Sequence, residues 1–150
     1  MFVILLFCLL PSAGFAADLQ NLVSASNDFE VAMIEHEHVL ERSPSATELA
    51  ASTLKYAKTK ERYFVVLRKS IPFLIDMATG KTPKTPEVDK IREIFSGYGE
   101  TQERQVEAAT VSMLKQRDQD AEVSKAEAEF YRVHKIEEQF HKDFDGLDST

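Results

Sequence analysis

Tryptophan is missing from this chain, and its single cysteine is Cys8. With one thiol no internal disulfide can form, so the fold has to rest on its own hydrophobic core. Only five glycines and five prolines occur in 150 residues, which leaves few places for tight turns and argues for long regular elements. Charge of positive sign is also short: 18 lysines and arginines stand against 25 aspartates and glutamates, a net charge of −7. That balance disfavours a nucleic-acid partner, which needs a basic face to neutralise phosphates.

Charged side chains are absent from the first sixteen residues. They hold an apolar core from Phe2 to Leu10, a helix-breaking Pro11 and the small-residue end Gly14-Phe15-Ala16. The pattern reads as a secretory leader cut after Ala16, although a basic residue at its start is missing. It is also too short to span a bilayer, which takes ~20 apolar residues. Cleavage would remove Cys8 and leave residues 17–150 as one exported domain, expected in the periplasm or alternatively outside the cell. A chain of this size can bury roughly two-thirds of its unfolded surface.

After Ala16 nearly everything reads as helix, because apolar residues recur at three- and four-residue spacing. A first helix over Asp18–Arg42 has the seam Leu19, Leu22, Ser26, Phe29, Met33, His36 and Leu40. Ser43-Pro44 ends it, and Ser45 with Glu48 forms a capping box that opens the second helix. Pro72 should kink that second helix rather than end it, and a turn-rich stretch follows over Thr79–Thr85. Thr85-Pro86 starts a third helix, which Gly97 and Gly99 bend. A fourth helix carries Val123, Ala126, Phe130, Val133, Glu137, Phe140 and Phe144 out of phase with the third, so a turn is placed near Asp118–Glu122. The expectation is an all-α, up-down-up-down helical bundle with a kinked, overhanging hairpin between helices 2 and 3.

The overhang follows from unequal lengths. The outer helices have about 25 and 23 residues and the middle two about 32 each, at ~1.5 Å per residue. The segment from Lys55 to Arg92 also carries a charge of +6 while the rest carries −13. An apolar, basic-rimmed tip is therefore expected to be the partner-binding surface. Its apolar residues are Ile71, Phe73, Leu74, Ile75 and Met77, and its rim is Lys81 and Lys84. The alternative is that the hairpin folds back and enlarges the core. Partners in view are another protein, a second copy or an anionic membrane surface, with no nucleic acid and no cofactor.

Signals for chemistry are weak, so a non-catalytic interaction or adaptor module is expected rather than an enzyme. Gly80-Lys81-Thr82 lacks the earlier glycine of a phosphate loop, and Ser52-x-x-Lys55 and Ser112-x-x-Lys115 have no supporting motif. Glu35 with His38, and Glu138 with His141, each make an E-x-x-H of the kind that di-metal bundles use. Antiparallel packing puts these pairs more than ~20 Å apart, so they are weak metal candidates. In size, leader and the opening Ala17-Asp18-Leu19 the chain resembles exported haem bundles of the cytochrome b562 type. That resemblance implies a haem- or metal-binding carrier, but the axial methionine's region holds Leu22 and Val23, and no C-x-x-C-H is present. His36 is expected at a partly exposed rim of the first seam.

Overall fold

The computed structural model describes residues 13–81, 85, 86, 88, 89 and 100–148. Five helices form in it: α1 (Ala13–Glu41), α2 (Ala46–Lys69), α3 (Ile71–Ala78), α4 (Glu100–Gln116) and α5 (Ala121–Asp148). No strand occurs among the described residues. None of their helices is long and apolar enough to cross a membrane.

Local chemistry sets most boundaries. Ser45 Oγ accepts from the Glu48 amide at 3.2 Å while Glu48 Oε2 accepts from the Ser45 amide at 2.9 Å, so the expected capping box opens α2. Ser43 takes a left-handed φ of 53° instead of the extended geometry expected before proline. The chain thereby reverses between α1 and α2 within four residues, and Arg117 clamps the turn by donating to the Pro44 carbonyl. Near Pro72 the second helix breaks rather than kinks. Ser70 leaves helical geometry, its hydroxyl donates to the Val66 carbonyl at 2.9 Å, and α3 starts afresh with proline in its first turn. Thr85 caps the next helical segment by accepting from the Val88 amide at 3.3 Å. The turn expected near Asp118–Glu122 lies at residues 117–120, where Asp120 Oδ1 accepts from the Glu122 amide. Gly97 and Gly99 lie outside the described residues.

Helix directions follow from the cross-helix pairs. Ser52 of α2 meets His36 of α1, and Arg62 meets Asp28, so those two helices are antiparallel. Tyr56 meets Phe130 and Phe64 meets Phe140, so α2 and α5 run parallel. The result is the expected alternation of directions, with α2 packed closely along both α1 and α5. Buried Ala50 and Ala57 on α2, and Ala126 on α5, are small enough to let helix axes approach.

The core is an aromatic column. Phe29 lies 5.6 Å from Tyr56 and 5.5 Å from Tyr63, ring centre to ring centre, and Phe64 lies 5.5 Å from Phe140. Leu22, Leu49, Leu114 and Val123 are buried around it.

Among the described residues, the hairpin does not form an uncovered tip. Phe73 and Leu74 are buried, Ile71 and Met77 pack against the core, and Val88 on the returning segment is sealed at 1% exposure. The break at Ser70 lets α3 turn Phe73 and Leu74 into the core, while Ile75 stays exposed. Leu74→Ala should therefore cost about 2–4 kcal/mol of unfolding free energy in a denaturant titration, as a buried core truncation does. A surface leucine would cost almost nothing there.

Candidate buried cation centre

Two polar layers interrupt this core. The first is built on His36, which is 1% exposed and not at a rim as expected. One ring nitrogen lies 2.6 Å from Ser52 Oγ and the other 2.9 Å from Thr110 Oγ1, which ties α1 to α2 and α4. The ring stacks on Tyr56 at 5.2 Å. Burial lowers its pKa from 6.5 to about 4, so the imidazole is neutral near pH 7. Both nitrogens being engaged, His36 has none left for a haem iron.

The second layer lies eight residues further along α2, roughly 12 Å away along the helix. Lys60 is only 2% exposed. Its ammonium pairs with three carboxylates: Glu103 at 3.3 Å, Glu107, and Glu137. Glu103 and Glu107 stand four apart on α4, so both face the same way, and His134 and Glu137 stand three apart on α5. The Tyr56 hydroxyl donates to Glu107 Oε1 at 3.3 Å, and Lys60 Nζ sits 5.8 Å from the Tyr56 ring centre.

Burial opposes the Lys60 charge, but the three carboxylates outweigh it and hold the ammonium above the usual lysine value. Tyr56 and Tyr63 are pushed upward, first by burial and then by the same carboxylates, so both phenols stay protonated. Among the contacts described, three carboxylates outnumber the one ammonium in a largely water-excluded site. Carboxylates are costly in a low-dielectric interior and draw in positive ions.

Glu107, His134 and Glu137 have the geometry to hold one. Each offers a ligand atom, and those atoms lie within 4.8 Å of one another. His134 Nδ1 is 3.9 Å from Glu107 Oε2, while Glu138 Oε1, 3.5 Å from Nε2, is placed to orient the ring from outside. His134 is 40% exposed and marks the solvent side, which gives an ion a way in.

Two surface grooves lie elsewhere. A hollow of 530 Å³ runs beside Leu19, Val23, Asn27 and Pro86, and one of 310 Å³ lies between Ala32, Val39, Ala51 and Lys55. Among the described residues lining the larger, Asp28 is the one titratable side chain, and neither groove is lined by Lys60, Glu103, Glu107, His134 or Glu137.

The residues expected from sequence are placed differently. Glu35 pairs with Lys55 on the surface, and His38 is exposed. His141 is exposed and packs edgewise on Phe64, towards the far end of α2 from Lys55. The two E-x-x-H pairs share no centre; of the four residues, Glu138 lies 3.5 Å from His134 and His141 lies 3.9 Å from Glu137, both at the edge of the cluster. At the hairpin, Ile75 is 39% exposed and Lys81 is exposed, while Lys84 lies outside the described residues. With Phe73 and Leu74 inside, Ile75 is the one exposed large apolar side chain among the described hairpin residues.

Sequence reasoning passed over Lys60, Glu103 and Glu107, yet a signal existed. Glu137 falls in the apolar seam between Val133 and Phe140, and Lys60 sits four residues from both Tyr56 and Phe64. A charged residue in each of two core seams is what a buried ion pair looks like from sequence. No family model, curated protein or solved structure matches this chain.

Proposed function

We propose that this exported bundle acts by binding rather than by covalent chemistry, and that what it binds is a divalent transition-metal cation at Glu107, His134 and Glu137. The observation carrying this reading is the ligand set itself: two carboxylates and an imidazole whose ligand atoms lie within 4.8 Å of one another, beside a buried ammonium that both carboxylates contact. One nitrogen and several oxygen donors without a thiolate suit Mn²⁺, Fe²⁺ or Zn²⁺ better than Cu(I). A Ca²⁺ site would draw six to eight oxygens, more than this face supplies.

Calorimetric titration of the metal-free chain with Mn²⁺, Zn²⁺ and Ca²⁺, each alone, tests it. The expected result is one ion bound per chain, Mn²⁺ or Zn²⁺ ahead of Ca²⁺, with melting raised by about 2.7 kcal/mol of stabilisation at a hundredfold excess over the dissociation constant. Glu107→Gln and His134→Ala should each weaken binding by about tenfold or more while circular dichroism stays helical. Absence of heat and of any melting shift with all three ions at millimolar concentration sinks the reading.

A further inference from the structure

Lys60 comes from α2, whereas every candidate ligand comes from α4 or α5. Its ammonium already touches Glu107 and Glu137, two of the three groups an ion would need. We infer that Lys60 is a built-in counter-cation that competes with the divalent ion for Glu107 and Glu137, which makes the site exchangeable rather than permanently filled. The inference rests on the cation-binding reading.

The physical case is mutual exclusion. Glu107 Oε1 and Glu137 Oε2 are the oxygens aimed at Nζ, while Glu107 Oε2 and Glu137 Oε1 face His134 and His141. An ion ligated by both carboxylates and His134 therefore sits within a few ångströms of a positive charge that the same carboxylates hold. Like charges at that separation repel strongly where water is scarce. Either the ammonium swings off its two partners or the ion binds weakly. Glu103 gives the ammonium a third contact, at 3.3 Å, to which it can retreat.

The arrangement also explains how an empty bundle stays folded. In a site without Lys60, Glu107 and Glu137 would repel one another and push α4 and α5 apart until an ion arrived. With Lys60 present, α2 supplies the missing charge and the ion becomes optional. That is the behaviour of a carrier that loads and releases, as opposed to a structural site whose metal is required for folding.

Metal-free wild type, Lys60→Gln and Lys60→Arg, titrated with Mn²⁺ and with Zn²⁺ and followed in parallel by circular dichroism, test the inference. Lys60→Gln removes the charge and should bind the better of the two ions ~10-fold tighter or more, while Lys60→Arg keeps the charge and should stay within ~3-fold of wild type. If Lys60→Gln is unfolded without metal, the expected result is that millimolar Mn²⁺ or Zn²⁺ restores the helical signal; a chain that stays unfolded overturns the inference. Lys60→Gln binding no tighter than wild type overturns it while leaving the cation-binding reading intact. Failure of all three proteins to bind either ion overturns both.

Discussion

Lys60→Met, assayed without metal, is expected to lose about 3–5 kcal/mol of unfolding free energy, the largest effect of any single substitution discussed for this chain. The cause is the charge left behind. Lys60 is 2% exposed and is the cation that joins Glu103, Glu107 and Glu137. Taking it away leaves three carboxylates facing one another with little water to solvate them. Methionine has nearly the right length and no charge, so the loss measures electrostatics more than packing. Adding Glu107→Gln and Glu137→Gln to Lys60→Met should recover much of the stability, because the triple variant removes two of the three carboxylates together with the ammonium. The sum of the separate effects would then differ widely from the combined effect, as expected for groups in direct contact. Urea denaturation of wild type, Lys60→Met, the Glu107→Gln/Glu137→Gln double variant and the triple variant reads this directly, and a Lys60→Met loss below about 1 kcal/mol would place the ammonium in water instead.

The second large effect is acid sensitivity from His36. Its folded pKa is lowered to about 4 from 6.5, so the unfolded chain takes up a proton on this ring at a higher pH than the folded chain does. Stability from this group is complete above pH 6.5, falls as pH drops from 6.5 towards 4, and changes no further below that. The shift corresponds to roughly 3 kcal/mol across the window. Structure supplies the cause: the ring is sealed against Tyr56 with its nitrogens on Ser52 and Thr110, and no carboxylate reaches it to compensate a charge among its described contacts. His36→Gln keeps polar atoms for the two hydroxyls but cannot titrate, so its stability curve should be much flatter between pH 6.5 and 4. Every other titrating group is common to the two proteins, and the comparison cancels it. Equal slopes for wild type and His36→Gln would remove His36 as the cause.

Legibility from sequence divides along a physical line. Signals that act within one turn of chain were readable. Ser45 and Glu48 specify their capping box whatever else happens, and Thr85 with Pro86 specify a helix start. The heptad-like seams on α1 and α5 gave the buried faces down to Phe29, Met33, Phe130 and Phe140. At Ser70 the limit shows. Proline 72 announced a disturbance, but whether the chain would kink outward or break and fold back depended on what α3 could cover, and Phe73 and Leu74 found cover inside.

The charged layer shows the same limit more sharply. Lys60 belongs to the basic segment from Lys55 to Arg92, whereas Glu137 interrupts an apolar seam. Neither position reveals that they meet, because they are 77 residues apart in sequence. By itself the sequence determined the helical class, the directions of the chain reversals and the apolar faces, since periodicity and capping are local. Only the tertiary structure decided which charges were buried together, because the energy of a buried ion depends on groups that three separate helices bring to one level.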